Sequence, residues 1–81
     1  MMYEAIFQPS DKTAYNEEAE KITGKKIAVY SGGVMEDGPF KGQDRYYIPN
    51  SKVGFIPRSD LKELKSVSLV QWKEIHKRLE I

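Results

Sequence analysis

Residues 52–64 read KVGFIPRSDLKEL, in which a glycine, an aromatic residue, an aliphatic residue and a proline follow one another before the chain turns polar. Gly54 permits close packing or a bulge, and Pro57 ends a strand because it has no backbone N–H to donate to a ladder. Side chains alternate across a strand, so Phe55 and Ile56 are predicted to face opposite sides of a sheet. The stretch is therefore expected to complete a small β-domain, which Leu61 closes.

The segments before this stretch have the period and composition of strands. Tyr3–Gln8 is a short, mostly apolar run that Pro9 stops. In Lys25–Ser31, Ile27 and Val29 alternate with other residues as in a half-buried strand. These two segments are predicted to be the first two strands.

The remaining segments before residue 58 are loops and a hairpin. Residues 9–24 are polar with loosely spaced apolar positions, which indicates a loop with a short helical piece. Residues 32–44 hold four of the six glycines, so turns are predicted there. Two short β-rich runs, Arg45–Pro49 and Lys52–Pro57, are predicted to pair as a hairpin through a tight connection at residues 50–51.

The C-terminal stretch changes to a helical period. Ser68 followed three residues later by Gln71 is a capping-box pattern, which predicts a helix over residues 68–80. Its apolar face is formed by Leu69, Trp72, Ile75, His76 and Leu79. We expect this helix to pack across one open end of the domain. The alternative is an exposed Trp72 face that forms a homodimer or docks on a partner, since apolar patches of that size rarely stay bare.

The order of these segments resembles the Src-homology-3-like small β-barrel family over residues 3–65. In that family a strand of the type A-L-Y-D-Y leads into a long acidic loop, and the domain ends on G-[YF]-[IF]-P-S-N-Y-[VL]. Residues 5–7, AIF, stand at the first motif and residues 54–61, GFIPRSDL, at the second. The resemblance implies a mainly β fold: a small Src-homology-3-like five-stranded barrel with a C-terminal α-helix, in a single domain over residues 1–81.

The resemblance also implies a function. Family members that bind proline-rich peptides hold them in aromatic-lined slots. The matching positions form an aromatic and proline strip flanked by loop acids: Phe7, Tyr46, Tyr47 and Pro57, with Glu17, Glu18 and Glu20. Asp60 departs from the pattern, because it stands where the last groove tyrosine would be. The expected function is a non-enzymatic protein-interaction module that binds an extended peptide or partner protein, basic or proline-rich.

The distribution of charge leaves two alternatives open. Residues 1–40 carry four lysines against seven acids, a balance of −3, and residues 41–81 carry nine basic residues against five acids, a balance of +4. The near-neutral total of +1 argues against a dedicated nucleic-acid binder. Single-stranded nucleic-acid binding through Arg45, Arg58, Lys62 and the tyrosines is the first alternative. A structural or assembly component, such as a small phage or mobile-element protein, is the second.

Catalytic and metal chemistry have few candidates in this sequence. There is no cysteine and one histidine, His76, so thiolate metal sites are excluded and a nucleophilic triad lacks its usual base. The Gly24–Lys25 pair lacks the second glycine and the following Ser or Thr of a phosphate-binding loop. We expect no enzymatic activity, no cofactor and no metal. The lack of cysteine and of a long apolar run predicts a soluble, cytoplasmic protein without membrane association.

Overall fold

The computed structural model describes residues 1–79, within which five strands and two α-helices form. In chain order the elements are β1 (Met2–Phe7), a 3-10 turn (Lys12–Ala14), α1 (Glu17–Glu20), β2 (Lys26–Val34), β3 (Asp44–Tyr47), β4 (Ile56–Pro57), a second 3-10 turn (Arg58–Asp60), β5 (Leu61–Ser66) and α2 (Leu69–Leu79). Glu80, the last residue of the predicted helix, lies outside the described residues.

The strands form one antiparallel sheet in the order β4-β3-β2-β1-β5. The last strand therefore returns to pair with the first, and the sheet curls into a half-barrel. The predicted fold class is confirmed: the chain is mainly β, a small Src-homology-3-like barrel with a C-terminal helix.

Two irregularities bend this sheet. Between Ser31 and Val34 the register of β2 against β3 shifts by one residue, and Gly33 there has a φ of 89°. A second shift occurs where β5 pairs with β1, close to Glu63, which has a φ of 55°. An extra residue in one strand bends it and increases its twist, so both bulges help the sheet to curl.

Several strand boundaries differ from those predicted. The second strand continues through residues 32–34, because ladder pairing with β3 outweighs the turn preference of two glycines. The strand β5 was not located by the sequence pattern, because its bulge breaks the alternation: Leu61 and Leu64, three residues apart, both pack on the interior cluster. The predicted strand over residues 52–57 shrinks to Ile56–Pro57.

The connection between β3 and β4 is correspondingly longer than the predicted two residues. These strands do pair as a hairpin, but residues 48–55 form the loop between them. Asn50 has a φ of 62° and Gly54 a φ of 83°, so neither continues an extended strand. The Ser51 hydroxyl donates to the carbonyl of Ile48 at 2.9 Å, which fixes the loop locally.

The main hydrophobic cluster lies inside the curl of the sheet. Phe7, Ile27, Ile56 and Leu61 are at most 1% exposed there. These side chains come from four strands, so the cluster becomes buried only when the sheet curls and brings the strands together. Burial of each large apolar side chain stabilises the fold by about 1.5–3 kcal/mol.

Helix α2 packs on the outer face of the sheet through Trp72 and Ile75, and its last described residue, Leu79, joins the main hydrophobic cluster. Ile27 and Val29 of β2 point inward, so the small side chain of Ala28 points outward and lets the helix approach. Trp72 and Ile75 pack against Ala28 to form a second hydrophobic cluster. The indole N–H of Trp72 donates to the carbonyl of Val29 at 3.1 Å, which fixes the ring against the sheet.

The start of α2 uses only half of the predicted capping box. The Ser68 hydroxyl accepts a hydrogen bond from the backbone N–H of Gln71 at 3.3 Å, as the pattern predicts. The Gln71 side chain does not turn back to Ser68 but donates to the carboxylate of Glu4 at 2.5 Å. Glu4 is 2% exposed and also pairs with Lys26 at 3.2 Å. This buried carboxylate therefore joins the helix to β1 and β2.

Candidate functional site

Three of the four side chains in the predicted peptide-binding strip lie in the core. Phe7 is 0% exposed and Tyr46 is 6% exposed. Pro57 is also fully buried. Tyr46 and Tyr47 are adjacent in β3, so the alternation of the strand turns Tyr46 inward and leaves Tyr47 partly exposed. The strip therefore does not form as an exposed surface: Tyr47 stays partly exposed, and Pro57 contributes only to the wall of a depression described below.

A tyrosine from the long loop closes over the position of the predicted strip. The ring of Tyr15 meets Phe7 edge to face, with centroids 5.1 Å apart. Its hydroxyl donates to the carboxylate of Asp60 at 2.5 Å, and the backbone N–H of Ser10 donates to the other oxygen at 3.2 Å. Asp60, fully buried, thus binds the loop to the turn before β5. We call Phe7, Tyr15 and Asp60 the Tyr15 closure.

Two tyrosines have perturbed acidity because of this packing. Burial raises the pKa of Tyr15 well above its ordinary value, and the hydrogen bond to Asp60 raises it further. Burial also raises the pKa of Tyr46, with a smaller contribution from the nearby charge of Asp44. In both cases the protein favours the neutral phenol. Tyr15 therefore acts as a structural hydrogen-bond donor, and neither tyrosine is poised to act as an acid.

The loop acids of the predicted site sit on α1. The Asn16 side chain caps this helix by accepting from the N–H of Ala19, and its amide donates to the carbonyl of Lys52 at 2.6 Å. The helix is thereby fixed beside the β3–β4 loop. Its acids are Glu17, Glu18 and Glu20, of which Glu18 pairs with Lys21 at 3.5 Å. None of the three lines either of the apolar depressions described below.

An exposed aromatic side chain lies on the outer face of β3 and the segment before β4. Phe55 is 47% exposed, and the edge of its ring meets Tyr47 with centroids 6.1 Å apart. The guanidinium of Arg45 lies 3.9 Å from the centre of the Phe55 ring. Gly32 lies beneath both rings, since a Cβ there would come within 3.1 Å of each. We call Arg45, Tyr47 and Phe55 the Phe55 face.

An apolar depression lies on each side of Phe55. The first has a volume of about 240 Å³ and is formed by the β3–β4 loop: Tyr47, Ile48, Asn50, Ser51, Gly54 and Phe55. The second has a volume of about 230 Å³ and lies between the two long loops: Ala14, Tyr15, Met35, Asp37, Gly38, Pro39, Phe40, Phe55 and Pro57. Phe55 is shared, so it forms the ridge between them. We call them the turn depression and the loop depression.

Two of the three basic residues of the nucleic-acid alternative donate to backbone carbonyls. The Arg45 Nε donates to the carbonyl of Gly32 at 2.6 Å, and the Arg58 guanidinium donates to the carbonyl of Leu61 at 2.9 Å. Lys62 is exposed and directly follows Leu61 in β5. Arg45 alone of the three is placed against an exposed aromatic ring.

The Trp72 side of helix α2 is turned toward its own sheet. Trp72, Ile75 and Leu79 are all less than 10% exposed, so this face is covered within one chain. A homodimer through Trp72 therefore requires the helix to leave the sheet. The exposed apolar residues of α2 are Leu69 and Val70, which lie in its first turn.

Residues 1–79 contain no group of three or more histidine and carboxylate side chains placed to hold a metal ion. No helix in this range is long and apolar enough to cross a bilayer.

Sequence reasoning overlooked three residues of the loop depression: Tyr15, Met35 and Phe40. Each is an isolated large apolar residue within a polar or glycine-rich segment, where no period marks it. An isolated aromatic residue in such a loop could have indicated them, because an aromatic side chain there either packs back onto the domain or remains exposed as a contact surface. Tyr15 does both.

Comparisons with protein-family models, curated proteins and solved structures find no match for this chain.

Proposed function

We propose that this chain is a non-enzymatic interaction module that binds an extended peptide segment of a partner protein across the Phe55 face. The observation that carries the proposal is the exposure of Phe55 between two apolar depressions. Exposed aromatic residues beside pockets are typical anchors of protein–protein contacts. This assignment keeps the class of function that the sequence predicts and moves the contact from Phe7 and Tyr46 to Phe55 and its neighbours, among which Tyr47 and Pro57 are retained.

The size of the depressions favours a peptide over a small molecule. Small-molecule pockets span about 300–1,000 Å³ and enclose most of their ligand. The two depressions, of about 240 and 230 Å³, are both smaller and open. Each has room for one or two side chains, and the Phe55 ridge separates them. An extended segment that places apolar side chains on both sides of the ridge matches this shape.

The Phe55 ring is fixed before a partner arrives. Arg45 stacks on one side and is itself bonded to the carbonyl of Gly32, while Tyr47 contacts the ring edge. Ordering a free side chain on binding costs about 0.5–1.5 kcal/mol, so a ring that is already ordered avoids part of that cost. The contact area is small, and the affinity belongs to the weak, transient class.

The charge beside the loop depression favours a basic residue in the partner. Asp37 lines this depression, and Glu36 precedes it in the same exposed loop. Apolar rings and Pro39 form the rest of the wall, which suits proline or aliphatic side chains. The proposed partner segment is therefore apolar or proline-rich and carries a lysine or arginine at the end that meets Asp37.

Titration of isotope-labelled protein with a pool of basic proline-rich peptides tests the proposal. Amide shifts are expected at Tyr15, Phe40, Gly54 and Phe55, and Phe55→Ala is expected to abolish them while the protein stays folded. Val70→Ala is the matched control, because Val70 is 74% exposed and lies on α2, which lines neither depression. If Phe55→Ala leaves the titration unchanged, the Phe55 face is not the binding surface.

Single-stranded nucleic-acid binding is the rival function, favoured by the Arg45 guanidinium on the Phe55 ring. Bases stack on aromatic rings beside cationic side chains in such binders. A parallel titration with a single-stranded oligothymidylate separates the two functions. Phosphate contacts release counterions, so nucleic-acid binding weakens steeply with salt, whereas an apolar peptide contact does not. Salt-sensitive shifts around Arg45, Arg58 and Lys62, without a response to peptides, would replace the proposed function.

A further inference from the structure

A continuous series of ring contacts begins on helix α2. The imidazole of His76 stacks on the indole of Trp72, with centroids 4.9 Å apart and planes 21° apart. The indole in turn stacks on Tyr30 of β2, also at 4.9 Å, with the planes only 13° apart. Near-parallel stacking at these distances means that a displaced Trp72 also displaces or exposes Tyr30.

The same series continues across the sheet to the Phe55 face. The centroids of Tyr30 and Tyr47 are 5.8 Å apart, and Tyr47 meets Phe55 at 6.1 Å. Both contacts lie within the 4.5–7 Å range in which aromatic pairs attract. The series therefore links α2, β2, β3 and the segment before β4, and Tyr30 and Tyr47 within it are cross-strand partners in the sheet.

The series is held in place near both ends. Near the helix end the buried indole N–H of Trp72 donates to the carbonyl of Val29 at 3.1 Å. At the other, Gly32 leaves no free space under Tyr47 and Phe55, and Arg45 covers the outer side of the Phe55 ring. Because the rings are confined between fixed points, a change in the docking of α2 reaches Phe55 through contact.

We infer that helix α2 is a positioning element for the Phe55 face, and that Trp72 and Tyr30 are positioning residues through which its docking sets the Phe55 ring. This inference deepens the proposed function and rests on it for its effect on binding. Trp72 is 6% exposed and lines neither depression, so it acts through other residues rather than by touching the partner. The helix contributes more than extra burial, because it selects the orientation of the surface that recognises the peptide.

The test compares Trp72→Leu with Ile75→Ala. Both changes remove buried contacts between α2 and the sheet, but Ile75 is not part of the ring series. In the free protein, Trp72→Leu is expected to move the Phe55 ring resonances and the Gly54 amide, although three ring contacts separate Trp72 from Phe55. Affinity for the basic proline-rich pool is expected to fall about twofold to tenfold, the range of one aromatic pair. Ile75→Ala is expected to leave both readouts unchanged.

If Trp72→Leu fails to fold, Tyr30→Leu provides a second test of the inference. Tyr30 is only half-buried, so this change leaves most of the contacts between α2 and the sheet intact. It is expected to move the Phe55 resonances in the same direction. Equal effects of Trp72→Leu and Ile75→Ala on Phe55, or unmoved Phe55 resonances in Tyr30→Leu, would overturn the inference and reduce α2 to a stabilising element. If the resonances move but neither these variants nor Phe55→Ala change peptide binding, positioning stands and the proposed function fails.

Discussion

The chain contains two phenylalanine–tyrosine pairs of nearly the same geometry and opposite exposure. Phe7 meets Tyr15 at 5.1 Å with planes 89° apart, and Phe55 meets Tyr47 at 6.1 Å with planes 80° apart. Phe7 is 0% exposed, whereas Phe55 is 47% exposed. The ring geometry is therefore not what distinguishes a core contact from a surface contact.

The difference comes from what lies over each pair. Residues 9–24 fold across the first pair, and the Tyr15 hydroxyl has a buried acceptor in Asp60 that keeps the loop in place. At the second pair, the β3–β4 loop and the loop after β2 pass on either side and leave a depression each. The first pair stabilises the fold, and we propose that the second recognises a partner. Variants in the two regions are expected to separate these two roles.

The largest difference is expected between Phe7→Ala and Phe55→Ala. Removing a fully buried phenylalanine costs about 3–5 kcal/mol, most of the free energy of unfolding of a domain of this size. Removing the half-exposed ring of Phe55 is expected to cost less than about 1 kcal/mol. Urea unfolding followed by far-ultraviolet circular dichroism measures both. Similar losses in the two variants would mean that the Phe55 face is part of the core.

A smaller difference is expected between Tyr15→Phe and Tyr47→Phe. The first change removes the donor to the buried Asp60 carboxylate, which then keeps only the Ser10 N–H, and costs about 1–3 kcal/mol. The second removes a hydroxyl from a partly exposed ring and is expected to change stability by less than about 0.5 kcal/mol. The same urea unfolding measures both variants. An unchanged free energy of unfolding in Tyr15→Phe would show that the closure does not depend on this hydrogen bond.

Alkaline pH is expected to weaken the Tyr15 closure selectively. The folded-state pKa of Tyr15 is raised above the ordinary value of 10.0, so the folded protein keeps a proton that the unfolded chain loses. Stability is then fully present below about pH 10 and falls as the pH rises from there toward the folded-state pKa. Unfolding measured from pH 8 to 11.5, roughly the span around that ordinary value, should give a shallower decline for Tyr15→Phe than for the unchanged chain. Tyr46, whose pKa is also raised, contributes to the decline that remains.

The smallest effects on stability are expected at two residues with positive φ, one at the β5 bulge and one in the turn depression. Glu63, at the β5 bulge, is expected to gain about 0.5–1 kcal/mol on change to glycine, because a side chain is strained in this conformation. Asn50, in the turn depression, is expected to change by only a few tenths of a kcal/mol on change to glycine, since asparagine tolerates positive φ. Thermal unfolding of the two variants provides the comparison. A destabilised Glu63→Gly would mean that its side chain has a role beyond the bulge.

How far the sequence predicts this molecule depends on the range of the interaction. The alternation of Ile27 and Val29 and the capping by Ser68 are local patterns, and they correctly indicated a strand and a helix start. The motif at residues 54–61 indicated the turn into β5 but not β5 itself, because the bulge at Glu63 shifts the phase of the pattern. The fold class followed from the order of the segments.

The candidate site was harder to predict because it depends on contacts between distant residues. Tyr15 covers Phe7 through a carboxylate 45 positions away, and no local pattern shows that Asp60 has this donor. The predicted strip included both Tyr46 and Tyr47, but side chains alternate across a strand, and in the structure Tyr46 faces inward. The contact of α2 with the outer face of the sheet was likewise hard to predict. It depends on the small side chain of Ala28, which no local pattern links to the helix.

The position of Trp72 has a practical consequence for optical work. It is the only tryptophan in the chain, and its indole lies between Tyr30 and His76 at the contact of helix and sheet. Its emission therefore reports one event, the docking of α2, without an introduced label. Excitation of the indole in the unchanged protein gives a direct reading of how often the helix leaves the sheet.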